Sequence, residues 1–196
     1  MRWQTADVTW IVCSVFRREL EWLRQTQQIE CANVVYLDSM LHIYPETLQT
    51  RLDAAIAAAR QEGRAIALVY GECHVYLPDI VAAQPDIRRI RGLNCIEIIL
   101  GREAYRRLRQ AGVFFFLPEW AFRWQEIFRD HLGLNEQNAR AVMADMHTRL
   151  AYLDTGVIPV PTQALAAIAD YTGMPLDILP TSLTIFKTAL TTILDG

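Results

Sequence analysis

The feature that most constrains this chain is a set of short apolar runs, each too brief for a helix and each followed by a stretch with helical spacing. Residues 8–12 (Val8-Thr9-Trp10-Ile11-Val12), 34–37, 65–70, 113–117, 150–153 and 176–179 read as strands, and 87–91 as a weaker one. Runs apolar on both faces belong to strands covered on both sides. Between them lie helical patterns. Phe16, Leu20 and Leu23 form one face, with Ser14 as a candidate N-cap. Leu48, Leu52, Ile56 and Ala59 recur every four residues after Pro45, and Gly63 closes that helix. Further helices are expected at 78–83, 96–100, 102–110, 120–131, 135–148, 161–171 and 183–193. Alternating strands and helices imply a single α/β domain over 1–196. The expected architecture is a three-layer Rossmann-like fold, with a mainly parallel sheet and helices on both faces.

A sheet of this kind binds ligands outside the carboxyl ends of its strands. Cys13 ends the first run, His42 follows the second, Cys73 ends the third, and Cys95 follows the 87–91 segment after Gly92. Four metal-competent side chains at four strand ends make a thiolate–imidazole metal site the leading expectation. Thiolates favour zinc, copper(I) or iron–sulfur clusters. Cys13, Cys73, Cys95 and His42 would close a tetrahedral zinc site. The three thiolates alone would hold a four-iron cluster with one iron open to substrate. The separations of 60 and 22 residues between the cysteines match no zinc-finger spacing, so the fold itself would have to assemble the site. Cys95 is also expected at a helix N-terminus, where the dipole favours a thiolate. Cys31 precedes the second strand, at its amino end, and is expected to be structural.

Other residues qualify for chemistry. Glu72 beside Cys73 and Asp154 after the 150–153 strand are candidate catalytic carboxylates. Asp154-Thr155-Gly156 also reads as an ordinary turn. Pro118-Glu119-Trp120 and Trp124 are candidate pocket walls. His74 is expected to point away from Cys73, and His131 and His147 to lie on helix surfaces. Neither a Walker A loop nor GxGxxG occurs.

Composition narrows the field further. Hydrophobic residues make up 52% and charged residues 21%, which suits a buried core; the net charge of −3 points away from nucleic acid. The longest uncharged apolar run is too short to span a bilayer, and residues 1–7 hold no signal-like apolar segment. A cytoplasmic protein with reduced thiols is the expectation.

Several segments in order resemble the domain of unknown function family 1638. They are Cys13-Ser14-Val15-Phe16-Arg17-Arg18-Glu19-Leu20, Leu37-Asp38-Ser39-Met40-Leu41-His42 with Pro45-Glu46, and Tyr70-Gly71-Glu72-Cys73. Asn94-Cys95-Ile96 with Leu100-Gly101, Phe115-Phe116-Leu117-Pro118 with Trp120, and Tyr152-Leu153-Asp154-Thr155-Gly156 complete the set. The resemblance implies a soluble α/β protein of anaerobes, methanogens and related microbes. Some such proteins are found beside corrinoid-dependent methyltransferase systems. It also implies Cys at the positions of Cys13, Cys73 and Cys95, and His at that of His42. This chain departs from the pattern at Leu93-Asn94, where His-Asp is common, at Glu119, where Gly is frequent, and at Pro180-Thr181-Ser182.

Three functions follow as expectations. The first is a metal- or iron–sulfur-cluster-binding accessory protein of anaerobic or metallocofactor-linked metabolism, with a corrinoid or other metalloenzyme system as partner. The second is a metal-free enzyme using Cys73 or Cys95 as a thiolate, with His42 or Glu72 as base. The third is a regulatory partner protein whose cysteines are structural.

Overall fold

In the computed structural model, which describes residues 2–72 and 84–195, all seven expected strands form and every strand pair is parallel. The strands are β1 (Val8–Cys13), β2 (Asn33–Leu37), β3 (Ala65–Val69), β4 (Ile87–Arg89), β5 (Val113–Phe116), β6 (Arg149–Asp154) and β7 (Leu176–Pro180). They divide between two sheets, in the orders β2-β1-β3-β4 and β5-β6-β7, where the sequence predicts one. Strand periodicity reports burial on each face but not which neighbour a strand pairs with. The division follows β4, which is only three residues long. After it the chain folds into α3 (Cys95–Leu100) and α4 (Arg102–Gln110) before β5 opens the second sheet.

The faces of both sheets that carry Trp10, Val12, Ala67 and Val69, and Phe115, Ala151 and Leu153, share one apolar cluster. Helix α1 (Arg17–Gln25) contributes Leu20 and Leu23 to it, α3 contributes Ile98 and Ile99, and α8 (Thr184–Asp195) contributes Phe186 and Leu190. Phe16 stacks on Phe186 with ring centroids 4.9 Å apart. Burying such side chains stabilises by about 1.5–3 kcal/mol each, which is what welds the two sheets into one body. The other face of the first sheet is covered by α2 (Pro45–Gln61) through Leu48, Leu52, Ile56 and Ala59, as the four-residue spacing predicts. Pro45 occupies its first turn and Gly63 (φ 70°) follows its end. The outer face of the second sheet buries Phe116, Leu150 and Tyr152 against α6 (Ala139–Met146) and α7 (Thr162–Thr172).

Two expectations differ in detail. The long helix expected over 120–131 is α5 (Pro118–Phe122) followed by a π-helical turn, Glu126–His131. Ser14 does not cap α1; its Oγ accepts the backbone N–H of Ser39 at 2.8 Å, tying the exits of β1 and β2 together. The helix expected at 78–83 lies outside the described residues. Among the described residues no helix is long and apolar enough to cross a membrane.

Candidate functional site

In the first sheet the chain passes from β1 outward to β2, then crosses back to β3 on the other side of β1. The reversal opens a crevice at the carboxyl ends of β1 and β3, the place where such sheets bind ligands. A cavity of 320 Å³ lies there, lined by Cys13 at the end of β1, Tyr70 and Gly71 after β3, and Asn94 and Cys95 at the start of α3. His42 reaches it from the turn after β2. From β5 of the second sheet come Phe114 and Phe115, and from α5 comes Trp120. Helix α5 brings Trp120 there by packing on the 3-10 turn Ser14–Phe16.

Gly71 holds two of these segments together. A Cβ on it would lie 2.4 Å from Asn94 Cα and 2.8 Å from Asn94 N, so only glycine lets the two backbones meet. Asn94 is the N-cap of α3, its side chain accepting the Glu97 N–H at 3.0 Å. An Asp here, as in the pattern that the chain resembles, would cap equally well. Asn adds a donor, which meets Tyr105 Oη at 2.5 Å.

His42 is held in one tautomer. Its Nδ1 lies 2.5 Å from the Ser39 carbonyl oxygen, which can only accept, so Nδ1 carries the proton. Nε2 is then the atom available to bind a metal or exchange a proton. The ring is nearly parallel to Trp120, with centroids 6.1 Å apart and planes 16° apart. Trp120 Nε1–H donates to Ser39 Oγ at 3.1 Å, and Ser39 Oγ–H donates to Glu119 at 3.3 Å. Glu119 accepts from Arg123 at 2.7 Å, and Arg123 also pairs with Asp38 (3.0 Å) and Glu126. The three carboxylates hold the guanidinium firmly protonated, and it draws the Glu126 carboxyl down to about 2. The polar wall behind His42 is thus braced by ion pairs.

The sequence-based candidates separate clearly. Cys13, Cys95 and His42 line the same cavity. Cys73 and His74 lie outside the described residues, two and three positions after Gly71. Among the described residues, no three His, Cys, Asp or Glu side chains cluster closely enough to hold a metal ion. Cys13, Cys95 and His42 therefore do not close a metal site by themselves. Glu72 is exposed and paired with Arg89 at 2.7 Å rather than lining the cavity. Asp154 accepts the Gly156 N–H at 3.1 Å, the turn geometry that the sequence also allowed. Cys31 is buried away from the cavity, and burial pushes its thiol up to about 12, in keeping with a structural role. Trp124 is buried in the outer cluster of the second sheet and does not wall the cavity. His147, expected on a helix surface, lines the far end of the cavity beside Phe114; desolvation lowers its pKa.

Sequence reasoning missed Glu19. It is fully buried, accepts Thr155 Oγ1–H at 2.9 Å through Oε1, and among the described residues has no hydrogen-bond partner at Oε2. Burial raises its pKa to about 7 against a smaller lowering by hydrogen bonds and Arg18. A signal was present: Glu19 falls between Phe16, Leu20 and Leu23 on the apolar face of α1. Ser39 carried no such signal, because its bonds to Glu119 and Trp120 join residues some eighty positions apart, whereas the Arg123–Glu119 pair is an i,i+4 pair that spacing alone allows.

A family model described as a protein of unknown function (DUF1638) matches residues 36–190. The matched span contains His42, Cys73, Cys95, Glu119 and Trp120, while β1 with Cys13 and α1 with Glu19 precede it. No curated protein and no solved structure matches the chain.

Proposed function

Since the chain belongs to the DUF1638 family of proteins of unknown function, whose name assigns no chemistry, we propose a function from the site: a metal- or iron–sulfur-cluster-binding accessory protein of anaerobic, metallocofactor-linked metabolism. The ligands proposed are Cys13, Cys95 and Cys73, with His42 as fourth ligand or as the group facing what binds there. The partner proposed is a corrinoid or other metalloenzyme system.

One observation carries this reading: two cysteines distant in sequence, Cys13 and Cys95, line one cavity at the crevice between β1 and β3. The contact of Gly71 with Asn94 anchors the chain two residues before Cys73 against the residue that precedes Cys95. The donor set is soft, which suits zinc or an iron–sulfur cluster. Bound there, such a group would supply Lewis-acid or electron-transfer chemistry. The chain's own residues supply the rest. Trp120, Phe115, Tyr70 and Ile96 give the cavity a largely apolar wall. The Ser39 carbonyl orients the His42 ring and leaves Nε2 as its reactive atom, the arrangement in which a carbonyl sets the tautomer of a ligating histidine.

The test is anaerobic purification without a metal-affinity tag, followed by elemental analysis, sulfide assay and an absorption spectrum. The expected result is stoichiometric zinc, or iron with acid-labile sulfide, lost in each of C13S, C73S and C95S. Metal-free wild-type protein, or unchanged content in all three variants, refutes the reading. A metal-free protein with one rapidly alkylated thiol would favour the thiolate enzyme instead.

A further inference from the structure

A second and larger cavity, 660 Å³, lies on the other side of the Ser14–Ser39–Glu119 wall. Its lining includes Arg17, Arg18, Trp22, Tyr36, Asp38 and Arg123. The carboxylates on it are already matched. Glu21 accepts from Arg24 at 2.9 and 3.0 Å and from Tyr36 Oη–H at 2.7 Å. Asp38 and Glu119 share Arg123. Arg17 and Arg18 are different: among the described residues neither has a carboxylate within ion-pair distance, and each instead lies over a ring. The Arg17 guanidinium is 4.3 Å from the Tyr36 centroid, and that of Arg18 is 4.4 Å from the Phe122 centroid. Stacking orients a guanidinium while leaving its in-plane N–H groups unspent, which is the geometry for gripping an oxyanion edge-on. The 3-10 turn Ser14–Phe16 runs into α1 at Arg17, so the positive end of the helical run lies at Ser14, which also lines this cavity.

We infer that this cavity is a binding site for a phosphate-bearing small molecule, its phosphate oxygens held by Arg17 and Arg18. The site is separate from the thiol-lined cavity and does not depend on metal there. The volume exceeds that needed for inorganic phosphate alone, and Trp22 offers an apolar wall for the organic part.

The experiment is isothermal titration of the full chain with pyrophosphate as probe, at fixed ionic strength. The expected result is saturable one-to-one binding, weakened about tenfold or more in each of R17Q and R18Q, as loss of a charge-assisted contact implies. R106Q, which alters an arginine on α4 outside this cavity, leaves it unchanged. Melting curves check that the variants fold; if R17Q does not, R17K keeps the stem and charge without the planar fork and should weaken binding likewise. Citrate in the same titration separates phosphate recognition from general anion binding. Absence of saturable heat, equal affinity in all variants, or citrate bound as tightly as pyrophosphate overturns the inference.

Discussion

Replacing Glu19 with Gln should change how the protein's stability depends on pH. The Glu19 carboxyl is fully buried and holds its proton up to about pH 7, whereas an ordinary glutamate releases it near 4.5. Between those values the unfolded chain binds fewer protons than the folded one. Stability therefore falls as pH rises through the window, and the loss is complete above about 7. At about 1.4 kcal/mol per pH unit, the displacement is worth about 3 kcal/mol. A Gln amide does not titrate, yet its oxygen can still accept the Thr155 hydroxyl that now donates to Oε1. E19Q should match the wild type only below about pH 4.5, already exceed it by about 1 kcal/mol near pH 5, and exceed it by about 3 kcal/mol near pH 8. His147 titrates with the opposite sign: its lowered pKa gives stability that is lost as pH falls below the ordinary 6.5. That contribution is common to both proteins and cancels in the difference. Urea unfolding at pH from about 5 to about 8 measures the two curves. Parallel curves would refute the claim that Glu19 carries a buried, raised proton.

Three further outcomes are expected. G71A places a Cβ 2.4 Å from the Asn94 backbone, so it should cost about 2 kcal/mol or more and lower the metal content, measured by thermal melting and elemental analysis. C31A should leave metal content unchanged, and in wild-type protein Cys31 should be the slowest thiol to alkylate, because burial holds its pKa near 12. R123A strands the largely buried Glu119 carboxylate without its cation and should destabilise by about 2–3 kcal/mol; R123K, keeping the charge, should recover part of it in the same unfolding assay.

The sequence alone determined the elements of this protein. Strand runs such as 8–12 and 65–70 are apolar on both faces, and the helix over Leu48, Leu52, Ile56 and Ala59 repeats with a helical period, because local sterics and burial act on neighbours in the chain. From parallel pairing it followed that Cys13 and His42 lie at carboxyl ends, and that Cys31 does not. Tertiary structure decided the rest. Two sheets form rather than one, since strand periodicity is blind to which edge a strand joins. His147 enters the cavity because β5 is an edge strand of the second sheet, with the residues around its amino end lining that space. Glu72 is drawn off to Arg89, and Glu119 is engaged by Ser39 and its partner Arg123 by Asp38, contacts set by folding rather than by spacing. Glu19 is buried only because α1 packs into the apolar cluster that both sheets share. Sequence marks a polar residue on an apolar face; only packing removes the water that would have ionised it.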